Sequence, residues 1–217
     1  MLLELKHWVV PPGHQVLLRD LSWSEFEQIV DELGEKRAAR ISYSNGLCEI
    51  MTPSPEHEDS KAIIGDFVKI LLEEFDREFR NLGSTTFKHQ GMDQAVEPDE
   101  CFYIDHEPEI RGKRRIDLMV DPPPDLVIEI DLTVRTQLGN YEKLKVPELW
   151  RYNGQTLEIY GLKGDRYQLS AHSKHFPGLP LSEVIPVYLA KSRSQGRTAV
   201  MRSFRRWVIE HLIEHLP

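Results

Sequence analysis

The stretch PPPDLVIEID, residues 122–131, decides the fold of this chain. Three prolines launch the run Leu-Val-Ile-Glu-Ile at 126–130, which is apolar except for Glu129. An unbroken apolar run of this kind is typical of a central strand that is covered on both faces. Glu129 is costly to bury there, because a carboxylate without partners loses its hydration. Two arrangements could compensate for this cost: a bound cation, or hydrogen bonds from arginine, tyrosine or backbone donors.

Other carboxylates lie close to Glu129 in the sequence. Asp125 lies four positions before it and Asp131 two positions after it, so a regular strand would put all three on one face. Asp99 directly precedes another predicted strand, at 100–104. Oxygen ligands on neighbouring strands can converge on Mg²⁺, which lowers the pKa of an attacking water. Asp131 is then a candidate for an extra ligand, and Asp125 is an alternative cap for the strand entrance.

Hydrophobic periodicity predicts the helices and strands on either side of this stretch. Ser24 and Glu27 have capping-box spacing, and Asn45-Gly46 between two alternating runs indicates a hairpin over 40–51. The predicted helices run from Ser24 to Gly34 and over residues 56–81, 134–144, 182–190 and 199–216. The further predicted strands cover residues 85–88, 100–104, 126–130, 149–152, 156–162 and 167–171.

This order of elements predicts an α/β (α+β) fold, with helices packed around one mixed β-sheet. Residues 1–21 are predicted to be an irregular arm that leads into the first helix. The expected organisation is one domain over residues 1–217, an ordinary size for a single domain. It has an N-terminal arm and helix at 1–34 and a C-terminal helical extension at 182–217.

The charge of the chain is unevenly distributed. Lysine and arginine number 27 against 35 acidic residues, and the net charge of −8 weighs against sequence-independent binding of nucleic acid. Residues 184–209 nevertheless contain no acidic residue and carry Lys191, Arg193, Arg197, Arg202, Arg205 and Arg206. A second basic cluster consists of Arg111, Lys113, Arg114 and Arg115. Such clusters are usually solvated surface, so they permit nucleic-acid binding without requiring it.

Several classes of protein are excluded. Cys48 and Cys101 are the only cysteines, too few for a disulfide framework or a four-cysteine zinc site. No apolar run is long enough to span a membrane and no secretion signal is visible, so the cytoplasm is the expected location. The sequence contains no phosphate-binding glycine loop, no Gly-x-Ser-x-Gly elbow and no His-Glu-x-x-His pair. The carboxylates are the remaining candidates for chemistry.

Pro98-Asp99 with Glu129 thirty residues later in an apolar strand resembles the PD-(D/E)XK nuclease superfamily. The closer resemblance is to its large branch of putative restriction endonucleases that are abundant in cyanobacteria. It covers about residues 43–162 and rests on the blocks at 97–104, 122–131 and 146–152, the Asn45-Gly46 hairpin with Glu49 and Met51, and the proline-rich break that leads to His57. These blocks in this order are more specific than the two carboxylates alone.

The resemblance implies a restriction-endonuclease-like core in which Asp99 and Glu129 bind Mg²⁺ or Mn²⁺. It also implies an acidic or polar residue near the start of the long helix that assists as a ligand, a position that Glu58 or His57 fills. Both are also ordinary residues for a helix start, where a glutamate suits the helix dipole without any catalytic role.

One departure from the superfamily pattern concerns a lysine that activates the water. Two residues after the glutamate, where the superfamily has this lysine, the chain has Asp131. In this branch the lysine often lies four residues before a tyrosine of the following helix; counted back from Tyr141, that position is Gln137. Gln137 can hydrogen-bond a water but supplies no positive charge. Arg135 and Lys143 lie nearby, and either could substitute.

The leading hypothesis is a Mg²⁺-dependent endonuclease that cleaves DNA with a metal-activated water. Asp99 and Glu129 would be the ligands, with Asp131 and Gln137 beside them. The alternative is a nuclease fold that has lost turnover and binds nucleic acid or a protein, with the basic segment 191–206 as the contact surface.

Two features of the assembly remain expectations. The resemblance implies a homodimer with a two-fold interface, since restriction-type nucleases often pair subunits to cut two strands. The segment around Phe204 and Trp207 is a candidate for packing at such an interface.

Overall fold

The computed structural model describes residues 8–34, 37–83, 85–89, 91, 93–133 and 135–214. Within these ranges the chain forms two β-sheets with helices packed against them. The strands are β1 (Gln15–Leu18), β2 (Arg40–Ser44), β3 (Leu47–Met51), β4 (Arg80–Asn81), β5 (Phe87–His89), β6 (Gln94–Val96), β7 (Glu100–Tyr103), β8 (Leu126–Ile130), β9 (Glu148–Tyr152), β10 (Leu157–Lys163) and β11 (Arg166–Ser170). The helices are α1 (Trp23–Leu33), α2 (Pro55–Glu74), α3 (Glu107–Ile110), α4 (Leu138–Lys143), α5 (Leu181–Gln195) and α6 (Arg197–Glu214). This mixture confirms the predicted α/β (α+β) class.

The six-stranded sheet contains the strand that the sequence predicts to be central. Its order is β11-β10-β9-β8-β7-β4, and β8 runs parallel to β9 and antiparallel to β7, so the sheet is mixed as predicted. All five residues of β8 are buried. Leu126, Ile128 and Ile130 face the core that α2, α5 and α6 cover, whereas Val127 faces the core beside α4. Alternation along the strand puts Glu129 on the α4 side.

The five-stranded sheet, with the order β1-β3-β2-β6-β5, corrects the prediction of one sheet. Its β2–β3 hairpin turns through Asn45 and Gly46, whose φ angles of 48° and 82° are the positive values that a tight hairpin turn requires. Residues 15–18 pair with β3 as an edge strand, so the prediction of an irregular arm is wrong there; residues 1–7 of that arm lie outside the described ranges. Edge pairing depends on a partner that a local pattern does not reveal.

Two predicted helix boundaries also need correction. The N-cap of α1 is Ser22, which exchanges hydrogen bonds with Glu25, so the capping box lies two residues before the predicted one; Gly34 ends the helix as predicted. Helix α2 ends at Glu74 rather than at residue 81, because Asp76 takes a φ of 51° and the chain then enters β4. The apolar spacing continues past this end, since Phe75 and Phe79 still pack against the core.

The predicted C-terminal extension consists of α5 and α6. Helix α6 packs on α2, and the ring centroid of fully buried Phe204 lies 4.5 Å from that of Phe67. Phe204 therefore packs inside its own chain, which removes it as an interface residue. The predicted helix at 134–144 is shortened to α4; residue 134 and the end of the prediction at 215–216 lie outside the described residues. In the described part of the chain, no helix has the length and apolarity to cross a membrane.

Candidate active site

Asp99 and Glu129 lie side by side at one end of the six-stranded sheet. Asp99 directly precedes β7, whose register with β8 pairs Glu100 with Ile128. Continuing this antiparallel register puts Asp99 opposite Glu129, and Asp99 Oδ2 accepts a hydrogen bond from the Ile130 backbone N–H at 2.9 Å. The two residues are only 3% and 8% exposed. The structure thus brings these two carboxylates into one pocket.

Two basic side chains approach Asp99 from the hairpin and from α2. His57 Nε2 lies 3.0 Å from Asp99 Oδ2, and Arg40 Nε lies 3.9 Å from Asp99 Oδ1. Burial by itself would lower the pKa of His57, but hydrogen bonds with Asp99 and Glu58 outweigh burial and raise it to about 9. His57 is therefore protonated at neutral pH and provides a positive charge beside Asp99.

Glu129 has a different environment. Burial raises its pKa well above the usual range, and repulsion from the Asp99 carboxylate adds to this effect. The Tyr141 hydroxyl of α4 donates a hydrogen bond to Glu129 Oε1, which partly opposes the shift. Tyr141 is itself buried, and its own pKa is raised by burial and by Glu129, so the hydroxyl keeps its proton. Tyr141 therefore holds one oxygen of Glu129 in place as a neutral donor.

The lining of the pocket around these residues is rich in carboxylates. Its acidic lining residues are Glu49, Glu97, Asp99, Glu129 and Asp131. Two of the described lining residues are lysine or arginine, namely Arg40 and Arg135. Burial and the nearby Asp131 carboxylate raise the pKa of Glu49. Burial also raises the pKa of Asp131, against the opposing effect of hydrogen bonds from Thr136.

The other predicted site residues take different positions. Asp131 lines the pocket, but its Oδ2 lies 2.9 Å from Arg151 Nε, and its Oδ1 accepts hydrogen bonds from Thr136. Gln137 is the N-cap residue of α4, and its exposed side chain also lines the pocket. Glu58 lies outside the pocket lining, with a side chain 47% exposed that pairs with Lys61.

Two other residues named from the sequence, Asp125 and Lys143, lie outside the pocket lining. Asp125 lies at the opposite end of β8, where its carboxylate accepts hydrogen bonds from the backbone N–H groups of Ile104 and His106. This is the capping alternative, and Asp125 does not share the pocket with Glu129. Lys143 points to Ser44 Oγ, 3.4 Å away, and is not among the lining residues.

Sequence reasoning did not single out three charged pocket residues, Arg40, Glu49 and Glu97, and it weighed His57 as an ordinary helix-start residue. Arg40 and Glu49 belong to the β2–β3 hairpin, whose alternation gives no reason to place them near Asp99. A signal existed for Glu49, Glu97 and His57, because all three lie in segments that carry the family resemblance. For Arg40 the sequence offers no signal, since its approach to Asp99 depends on how the two sheets meet.

The pocket contains many oxygen atoms that could act as metal ligands, but few of these side chains point to a common position. In the parts of the chain that the structure describes, no group of three or more His, Cys, Asp or Glu side chains is arranged to hold a metal ion. Asp99 and Glu129 each use one oxygen for the hydrogen bonds given above. The two carboxyl groups also form a side-chain hydrogen bond with each other, which contributes to the raised pKa of Glu129.

Comparison with known proteins places the chain in a family. Residues 23–192 match the family Uma2, described as "Putative restriction endonuclease". The fold is similar to the crystal structure of a putative nuclease belonging to DUF820 from Anabaena variabilis, with a TM-score of 0.54 and 16% sequence identity. The match covers 78% of this chain and 99% of the Anabaena chain. No curated protein matches. The chain therefore has a restriction-endonuclease-like fold and belongs to the Uma2 family of putative restriction endonucleases.

Proposed function

We propose that this chain is a divalent-metal-dependent endonuclease that hydrolyses phosphodiester bonds in DNA. The observation that carries the proposal is the pair of buried carboxylates, Asp99 and Glu129, which lie opposite each other in a pocket lined by further carboxylates. Membership of a family described as putative restriction endonucleases supports a nuclease function. The requirement for a divalent metal and the DNA substrate are proposed in addition to what the family description says.

The residues of the pocket fit a hard divalent cation. Carboxylate oxygens are the ligands that Mg²⁺ prefers, and Mg²⁺ is usually bound by one or two carboxylates together with water and substrate phosphates. Two carboxylates that lie within hydrogen-bond reach of each other match that pattern, whereas a cage of three or more side chains is not needed. A cation would also relieve the repulsion that raises the pKa of Glu129.

The chain's own residues have separate roles in this proposal. Asp99 and Glu129 would hold Mg²⁺ or Mn²⁺, which when bound lowers the pKa of water and offsets negative charge on the phosphate. His57 and the Ile130 N–H orient Asp99, and Tyr141 orients Glu129. These contacts fix the distance between the two carboxylates before any ligand arrives.

The cationic role of the missing lysine falls in this proposal to an arginine. Arg40 and Arg135 are the described lysine or arginine residues of the pocket lining, and Arg135 is exposed at its mouth. A guanidinium can bind a phosphate through two parallel hydrogen bonds and keeps its charge at any working pH. Gln137 contributes a hydrogen-bonding amide to the same lining.

A second candidate function is a nuclease fold without turnover that binds nucleic acid or a protein. The specific observation in its favour is Asp131, which stands where the superfamily has lysine and is paired with Arg151. An acidic residue at this position gives no help in stabilising negative charge on a phosphate.

A nuclease assay with matched variants tests the proposal. Wild-type protein should cleave plasmid DNA when Mg²⁺ or Mn²⁺ is added, and Asp99→Asn and Glu129→Gln should each reduce the rate by about 100-fold or more. Asp165→Asn and Glu183→Gln make the same chemical changes at sites outside the pocket lining and should cleave like the wild type. Cleavage that survives both pocket substitutions would refute the assignment.

Calorimetry with Mn²⁺ separates the two candidate functions. Binding of Mn²⁺ that Asp99→Asn abolishes, together with cleavage, supports the endonuclease. Binding of Mn²⁺ without cleavage of any DNA tested favours the module without turnover. Folded wild-type protein that binds no Mn²⁺ contradicts the metal site.

Two further expectations accompany the proposal. The resemblance to restriction-type nucleases leads us to expect a homodimer, which light scattering coupled to size-exclusion chromatography would measure. We also expect a cytoplasmic protein, and the buried free thiols of Cys48 and Cys101 are consistent with a reducing compartment.

A further inference from the structure

The candidate active site adjoins two further cavities. Arg40 and Glu97 line both this pocket and an adjoining cavity of about 530 Å³. Arg37 and Thr86 line both that cavity and a third one of about 650 Å³. The three cavities share walls in series, and together we call them the lateral groove. Its far end lies at the loop between α3 and β8.

Glu97 fixes the middle of the lateral groove. Its carboxylate pairs with the Arg37 guanidinium and accepts hydrogen bonds from the Thr86 hydroxyl and from the Ile41 backbone N–H at 3.1 Å. The Glu97 side chain is only 5% exposed. The junction is therefore rigid, and the charge of Arg37 is largely balanced there.

The far end of the lateral groove is cationic. Its lysine and arginine lining residues are Arg37, Arg80, Lys88, Lys113, Arg114 and Arg115, and the carboxylate among the described lining residues is Asp31. Arg80 donates to two neutral backbone carbonyls, those of Ile110 and Lys113, each at 2.5 Å. Arg114 and Arg115 are exposed and form no ion pair with any described residue.

The loop that carries these arginines is held in place. Arg80 ties it to β4 through the two carbonyl contacts, and Lys113 pairs with the buried carboxylate of Asp121. Ile116, directly after the two arginines, packs against the core beside α4. The positive charges of Arg114 and Arg115 are therefore presented at a fixed position, which reduces the entropy lost when they bind a ligand.

In the other basic segment, residues 191–206, most of the arginines form ion pairs within the protein. Three of its arginines pair with carboxylates of α2: Arg193 with Glu56, Arg197 with Asp66, and Arg205 with both Glu73 and Glu74. These contacts attach α5 and α6 to α2 and balance the charges involved. Arg202 and Arg206 remain exposed without an ion pair to a described residue.

We propose that the lateral groove is the track on which the sugar–phosphate backbone of a DNA substrate lies, with Arg114 and Arg115 as its phosphate contacts. The inference rests on the proposed function, since it gives the substrate a path away from the carboxylates. The carboxylates of the pocket offer a polyanion no favourable contact, so binding energy must come from cations elsewhere on the protein surface. The far end of the groove provides the exposed cations Arg114 and Arg115, and its cavity is linked to the pocket through shared lining residues.

Fluorescence anisotropy in EDTA tests this without requiring cleavage. The probes are a labelled duplex of about 20 base pairs and its single strand, titrated across a range of salt concentrations. Losing two phosphate contacts should flatten the slope of log K against log salt by about 1.8 for the duplex or 1.4 for the single strand. At about 0.1 M salt this corresponds to binding that is roughly 60-fold or 25-fold weaker for Arg114→Ala/Arg115→Ala.

The matched control is Arg202→Ala/Arg206→Ala, which removes the same charge from the exposed face of α6. Circular dichroism verifies that both double variants fold. The control should bind within about twofold of the wild type, because the total charge alone has a small effect at this salt concentration.

Each outcome decides the question. Wild-type protein that binds neither probe, equal weakening by both double variants, or weakening by the control alone overturns the track. The proposed function fails independently if a protein that binds through Arg114 and Arg115 does not cleave with Mg²⁺ or Mn²⁺. Cleavage that needs Asp99 while the Arg114→Ala/Arg115→Ala variant binds normally would keep the nuclease and refute the groove.

Discussion

In buffer without metal at about pH 8, we expect Glu129→Gln to raise the free energy of unfolding even though it alters the candidate active site. Burial raises the pKa of Glu129, and repulsion from Asp99 adds to the shift. Glutamine has nearly the same shape, carries no charge and keeps an oxygen that can accept the hydrogen bond from Tyr141. The substitution removes a buried charge and keeps its neutral contact.

The direction of the pH dependence follows from the raised pKa. Between the ordinary glutamate pKa of 4.5 and the higher native pKa, the native protein binds more protons than the unfolded chain. The free energy of unfolding of the wild type therefore falls as pH rises through this window, by at most about 1.4 kcal/mol per pH unit for one proton. The stability is complete below the unfolded pKa and is lost as pH rises through the native pKa.

The Glu129→Gln variant lacks this loss, so its advantage over the wild type should grow with pH. Each kcal/mol of this difference corresponds to roughly 2–4 °C in Tm at this chain length. Thermal and urea unfolding followed by circular dichroism in EDTA, repeated from about pH 5 to 8, measure it. Added Mg²⁺ should stabilise the wild type more than the variant, because a ligand that binds only the native state raises its stability.

Glu148→Gln is the matched control, since Glu148 is also a buried glutamate of the six-stranded sheet. Its two oxygens accept hydrogen bonds at 2.6 Å from Trp150 Nε1, the Ser173 hydroxyl and the Lys174 backbone N–H. An amide would leave at least one of these donors facing another donor, which costs about 1–3 kcal/mol. The two variants should therefore change stability in opposite directions.

The reasoning would be refuted if Glu129→Gln in EDTA were no more stable than the wild type at about pH 8, or if its advantage failed to grow with pH. Either result would mean that the Glu129 carboxylate is well compensated without a cation. The strongest physical argument for a metal at this site would then be lost.

Two other predictions concern the core. Phe204→Ala should lower the free energy of unfolding by about 3–5 kcal/mol in urea titrations, because the ring is fully buried against Phe67; a change below about 1 kcal/mol would contradict the packing of α6 on α2. Burial raises the pKa of Cys48 to about 12 and also raises that of Cys101, so neither thiol should react with Ellman's reagent near neutral pH until guanidinium unfolds the chain. Rapid reaction of the native protein would show that the thiols are accessible.

The carboxylate pair is the part of the site that the sequence anticipates. Glu129 is conspicuous because a glutamate interrupts an otherwise apolar strand, and Asp99 is conspicuous because it begins the next candidate strand upstream. Whether two such strands become neighbours depends on the sheet order, which places β7 beside β8 in antiparallel register. The pairing follows once that order is known, since residues opposite each other on adjacent strands are about 5 Å apart.

The cations of the site could not be anticipated in the same way. Arg40 begins a hairpin strand in the other sheet, and its approach to Asp99 is a contact between residues far apart in the chain. Arg114 and Arg115 were recognisable as a basic cluster, but nothing local connects them to the carboxylates. The chain of shared groove walls through Arg40, Arg37 and Thr86 exists only in three dimensions.

The basic residues of the C-terminal segment also show that the sequence alone does not reveal which cations are paired. Six cations without an acidic neighbour in sequence indicate a surface that can attract phosphate. The tertiary structure places Arg193, Arg197 and Arg205 against the acidic face of α2, where they act as packing contacts between helices. Sequence distance from a carboxylate is thus a poor guide to whether a cation is paired.

The sequence by itself determined the elements whose cause is local. Asn45-Gly46 produces the hairpin turn because both residues tolerate positive φ, and the apolar run at 126–130 produces a buried strand because both of its faces must leave water. Only the tertiary structure decided that the chain forms two sheets, that α2 stops at Glu74, and which charged side chains share the pocket with Glu129. These outcomes depend on contacts between distant segments, whose energies no window of sequence contains.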